Sequence, residues 1–160
     1  MEDARVKLHL RQIPAGGQHL EGETDCPIAD LGAPDVLCAG PLRYSLDVGI
    51  TDGALWANGS LHQPVTLRCV TCLESFQTAI EVPAFAVHTD LSGPETVDLT
   101  PFMREDLVLN LSPYPHCDRE GGRICKAAPN PDSSADEAVR AQLKREADWS
   151  ALDKLKLKKG

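Results

Sequence analysis

Apolar and polar residues alternate with a period of two through much of the chain between Arg5 and His88, the pattern of strands with one buried face. Arg5-Val6-Lys7-Leu8-His9-Leu10 reads this way, as do Leu42 to Val48 and Leu55 to Leu61. Gln63 to Cys69 and Ser75 to His88 read as the two arms of one long hairpin. Thr51-Asp52-Gly53 supplies a turn, because glycine tolerates the positive φ that tight turns require. Asn58-Gly59 predicts a bulge or a tight turn, and Pro83, which has no N–H for a ladder, predicts an edge position or a bulge. From Pro14 to Gly40 the residues are rich in Gly, Pro, Asp and Glu, which predicts a long irregular insert.

The period changes after Ser92-Gly93-Pro94-Glu95. Phe102, Met103, Leu107 and Leu111 recur at helical spacing, so one stripe can pack on a sheet. Thr100 is the expected N-cap, Pro101 suits the first helical position and Glu105 complements the positive end. Pro113 and Pro115 end the helix. Pro129 to Asp132 reads as a linker. Beyond it Ser133 or Ser134 can cap a helix to about Ala147, and Trp149, Leu152 and Leu155 fall on one face of a last amphipathic segment. The expected architecture is α+β: a mainly antiparallel β sheet or partly open barrel with one packed helix, over residues 1–128. A partly helical tail follows at 129–160.

Charge sharpens this division. The chain carries 24 acidic and 16 basic residues, a net −8 over 160 positions, the wrong sign for coating a phosphate backbone unaided. From Val139 onward seven Lys/Arg face three Asp/Glu, a net +4, which leaves −12 on the first 138 residues. An acidic body with a basic tail points to a partner, or to a solvated helix end. Aromatic residues are only 4% of the chain, too few for a stacking platform on single-stranded nucleic acid.

No apolar run follows Met1-Glu2-Asp3-Ala4-Arg5, and no stretch approaches the ~20 apolar residues of a membrane span. A cytoplasmic location without membrane contact is the expectation. There the six cysteines would favour metal over disulfides.

Cys69-Val70-Thr71-Cys72 sits at the hairpin tip. Two thiols at this spacing suit one tetrahedral metal ion, and Cys117 and Cys125 could complete four ligands for a structural Zn²⁺. The seven residues between Cys117 and Cys125 exceed the usual spacing, but Gly121-Gly122 lets the loop fold back. His116 is the alternative ligand. A redox dithiol needs a helix N-terminus beside it, and here both flanks read as strand. Cys26 and Cys38 read as free thiols or local packing. His9, His19, His62 and His88 have no partner at readable spacing and read as surface or core residues. No nucleophile-elbow, phosphate-loop or zinc-protease motif is present, so neither catalysis nor a small-molecule substrate is expected.

Three stretches together resemble the YceD family of large ribosomal RNA subunit accumulation proteins. They are Leu67-Arg68-Cys69-Val70-Thr71-Cys72-Leu73-Glu74-Ser75-Phe76, then Val97 to Pro113, then Tyr114-Pro115-His116-Cys117 with Cys125 and the Trp149-Ser150-Ala151-Leu152-Asp153-Lys154-Leu155-Lys156 ending. Ser112 interrupts the family's Leu-Pro adjacency, and the insert before Pro41 is also a departure. The resemblance implies a non-enzymatic role in accumulation of large-subunit ribosomal RNA. Its partner would be a ribosomal protein or the RNA precursor itself. Arg104, Trp149, Lys154, Lys156 and Lys158 are the candidate contacts. A thiol-based redox or metal-responsive enzyme, or an interaction module unrelated to ribosomes, are the alternatives.

Overall fold

A computed structural model of the chain describes residues 5–127. The polypeptide divides into Met1–Cys125 and Lys126–Gly160, and the first unit holds all the elements described below. The tail positions Trp149, Lys154, Lys156 and Lys158 lie outside the described residues.

Seven strands and one α-helix make up this unit: β1 (Lys7–His9), β2 (Gln18–Thr24), β3 (Val36–Cys38), β4 (Leu42–Thr51), β5 (Ala54–Arg68), β6 (Ser75–Asp90), β7 (Thr96–Asp98) and α1 (Thr100–Leu109), with a short 3₁₀ turn at Leu10–Gln12. Every pairing is antiparallel. The main sheet runs β2-β4-β5-β3, with β6 along the other side of β5, and β1 pairs separately with β7. It is an open sheet, not a closed barrel.

The long β5 organises the core. Leu55, Ala57, Leu61, Val65 and Leu67 all point inward at even spacing and are buried. On β6 the inward set is Phe76, Ile80 and Val82, then Phe85 and Val87, so the parity switches once. The switch coincides with a register shift, from Gly59↔Phe85 to Leu61↔Val82, which leaves an extra residue on β6 at Pro83 and Ala84. Proline removes a ladder donor, and a bulge is where a strand tolerates that loss. Gly59 is needed for a second reason: a Cβ there would lie 2.0 Å from the Ser45 carbonyl oxygen on β4.

The insert departs from the expected irregular loop. Leu20 and its neighbours form β2, which pairs residue by residue with β4 from Gln18↔Val48 to Thr24↔Leu42. β3 pairs with β5 from Val36↔Leu67 to Cys38↔Val65. Sheet pairing supplied by distant partners overrides a loop-like composition. Because β4 and β5 are neighbours, β2 and β3 bring Cys26 and Cys38 together. These two are joined in a disulfide, with Cα atoms 6.2 Å apart, and are not free thiols.

The helix begins one residue earlier than expected. Its cap position is Leu99, with no side-chain cap, and Thr100 is already helical. Asp98 Oδ1 accepts the Thr100 N–H at 2.9 Å, while Thr100 Oγ1 accepts the Val6 N–H at 2.9 Å and ties the helix start to the chain's first strand region. Leu99, Met103 and Leu107 are buried, one residue every four along one helical face. Arg104 turns to the insert: Nη1 donates to Pro27 O at 2.8 Å and to the Asp30 carboxylate, and holds that carboxyl below its usual range. Arg104, the expected partner contact, fastens α1 to the disulfide loop within this unit. Among the described residues no helix is long and apolar enough to cross a membrane.

Candidate metal centre

The turn between β5 and β6 is built around Cys69. Its N–H donates to Glu74 O at 2.9 Å, and its carbonyl accepts the Leu73 N–H at 3.0 Å. Leu73 takes a left-handed φ of 61°, which reverses the chain into β6 and leaves the Leu73 side chain exposed. Arg68 Nε donates to Leu73 O at 2.9 Å and braces the turn from the strand side.

The loop after α1 folds back against this turn. Val70 N–H donates to Pro115 O at 2.9 Å, and Thr71 Oγ1 lies 3.2 Å from His116 Nδ1. His116 O then accepts the N–H groups of Arg119 and Glu120, and Cys117 O accepts that of Arg123 at 3.3 Å, closing the wide Cys117–Cys125 loop on itself. Gly121 permits the approach. A Cβ there would meet Phe76 Cδ2 at 2.7 Å and Cys117 O at 2.8 Å.

The result brings four thiols together. Cys69 Sγ lies 4.0 Å from Cys125 Sγ, and Cys72 Sγ lies 3.7 Å from Cys117 Sγ, so each pair spans the two loops. All four sulfurs are within 4.8 Å of one another. Cys69, Cys117 and Cys125 are buried and Cys72 is partly exposed. This is an arrangement that can hold one metal ion. His116 is not a member of the group; its Nδ1 faces the Thr71 hydroxyl.

The electrostatics prepare one thiolate ahead of the others. Backbone N–H groups of Cys72 and Cys117, and then Thr71, hydrogen-bond the Cys69 sulfur and carry its pKa down to about 5. Burial pushes the Cys117 thiol in the opposite direction, to about 12. Four thiolates crowd −4 into one small volume, so full deprotonation needs a cation among them. Arg123 supplies part of the outer compensation: its guanidinium contacts the Cys117 sulfur, which raises its own pKa, and Nη2 stands 3.5 Å from Glu74 Oε2. Neither Arg123 nor Glu74 is singled out by spacing, because the two meet only through the turn and the loop.

Protein-family models, curated proteins and solved structures contain no match to this chain.

A second polar cluster escaped the sequence. His19 on β2 lies 2.7 Å from Asp47 Oδ1 through Nδ1, and its Nε2 lies 3.2 Å from both Glu21 Oε1 and Ser45 Oγ. These residues are separated by up to 28 positions and meet through the β2–β4 register. Their one local signal is the i, i+2 spacing of His19 with Glu21 and of Ser45 with Asp47.

Proposed function

We propose that the four-thiol centre holds a structural Zn²⁺ and that the protein is a non-enzymatic factor for large-subunit ribosomal RNA accumulation. The observation behind the metal is the sulfur geometry. Four sulfurs about 2.3 Å from a central zinc stand on tetrahedron edges of about 3.8 Å, and the two cross-loop separations are 3.7 and 4.0 Å. All four positions are filled by protein, which leaves no open coordination site for chemistry. The ion would clasp the β5–β6 turn to the loop after α1.

The ribosomal reading rests on the resemblance to the YceD family over the Cys69–Cys72 turn, the Val97–Pro113 helix region and the closing Trp149 segment. Exposed Val70, Leu73, Tyr114 and Ile124 lie within three residues of the thiols and suit a protein contact beside the clasp. The acidic first 138 residues suit a basic ribosomal protein. Depletion of the protein is expected to lower large-subunit RNA while sparing small-subunit RNA. Equal levels of the two would contradict this reading. The redox-enzyme alternative requires reagent access to Cys69, which is fully buried. Rapid alkylation of Cys69 in zinc-loaded protein would favour that alternative.

A further inference from the structure

We propose a second, surface metal site on the sheet edge, in which His19 Nε2, the Glu21 carboxylate and Ser45 Oγ bind one divalent transition-metal ion and Asp47 orients the imidazole.

Three donor atoms form a near-regular triangle on the outer face of β2 and β4. The edges are 3.2 Å from His19 Nε2 to Glu21 Oε1, 3.2 Å from His19 Nε2 to Ser45 Oγ and 3.5 Å from Ser45 Oγ to Glu21 Oε1. Nitrogen and oxygen ligands at about 2.0–2.2 Å from a tetrahedral ion lie about 3.4 Å from one another. The triangle therefore matches one face of a coordination shell without movement of the strands. The other ring nitrogen is held as metal-binding histidines require: Nδ1 lies 2.7 Å from Asp47 Oδ1, which fixes the ring and raises its basicity.

The alternating side-chain direction of strands builds the site. His19 and Glu21 are two apart on β2 and share a face, as do Ser45 and Asp47 on β4. The register Glu21↔Ser45 and His19↔Asp47 sets each pair opposite the other. A shallow depression of about 520 Å³, which His19, Ser45, Asp47, Asn58 and Ser60 help to line, gives water access to the His19–Ser45 side of the triangle. Water would complete the shell. Serine, histidine and aspartate in this order also resemble a nucleophile, base and orienting acid. The Glu21 carboxylate at the same Nε2 argues against that use, because it favours the charged imidazolium, which cannot accept a proton from Ser45. A cation replacing that proton satisfies both carboxylates. The imidazole nitrogen is the donor that selects Zn²⁺, Ni²⁺ or Co²⁺ over Ca²⁺ or Mg²⁺.

The test is calorimetric titration of Zn²⁺ into untagged full-length protein whose thiol centre is already metal-loaded, repeated with Co²⁺ to read the ligand type from its spectrum. One further equivalent should bind, with Co²⁺ bands free of sulfur charge transfer. His19→Ala should abolish it, and Asp47→Asn should weaken it about 10–100-fold through loss of ring orientation. His19 is exposed, so the Ala variant is expected to keep the wild-type circular dichroism. The proposal is overturned if no further equivalent binds, or if His19→Ala binds it as the wild type does. Cys69→Ser protein, which lacks a thiol ligand, should still bind this equivalent at His19, so failure at the thiol centre and failure here are separable.

Discussion

At the scale of single residues, most of what matters is close approach and hydrogen bonding that composition cannot display. Gly121 is small because the loop backbone lies against Phe76, and Gly121→Ala is expected to cost about 1–3 kcal/mol and to weaken metal retention. A urea midpoint and a chelator competition would measure the two effects. His19 is a second case. Its hydrogen bond to Asp47, followed by that to Glu21, raises its pKa above 6.5. The folded value exceeds the unfolded one, so the stabilising contribution is complete below the unfolded pKa and fades as pH rises through the folded pKa. NMR titration of the His19 ring in metal-free buffer should give a midpoint above 6.5, moving down toward that value in Asp47→Asn. A midpoint at or below 6.5 in the wild type would contradict the hydrogen-bonded arrangement. The Cys69–Cys72 spacing was legible because both ligands sit on one turn. The meeting of His19 with Asp47 was not, because register alone joins them.

At the scale of elements, alternation exposed β4 and β6 but divided the single strand β5 into Leu55–Leu61 and Gln63–Cys69, and Pro83 marked the bulge that switches the inward face of β6. The insert was misread because β2 carries Gly22 among charged residues and owes its conformation to β4. Cys26 and Cys38 were misread with it, since only the flanking strands bring them together. Their bond closes a loop of twelve-residue separation, for which chain entropy gives about 3 kcal/mol. Double replacement by serine should lower stability by about that amount in denaturant melts, with metal content unchanged. Loss of metal in that variant would tie the loop to the thiol centre. The helix boundary moved by one residue because Asp98 supplies the capping oxygen and Thr100 Oγ1 is engaged by Val6.

At the scale of the whole unit, the thiol centre is one part of a larger buried core. Cys69, Cys117 and Cys125 share a cluster with Leu42, Leu46, Val48, Leu55, Leu61 and Phe85, and most of its members are apolar side chains that bind no metal. Chelation of a metal-loaded sample should therefore lower the thermal midpoint while far-ultraviolet circular dichroism keeps its β signature. Complete loss of that signature would mean the metal nucleates the fold. Cys117 and Cys125 were legible as a second half for the metal site from residue type and from Gly121-Gly122, and the Val70–Pro115 and Thr71–His116 contacts provide the physical means. The most direct test is the zinc content of protein purified and dialysed without added metal, for the wild type, Cys72→Ser and Cys117→Ser. One zinc per chain in the wild type, lost in both variants, is the expected result. A wild type without zinc, or zinc retained in Cys117→Ser, would contradict a clasp between the two loops.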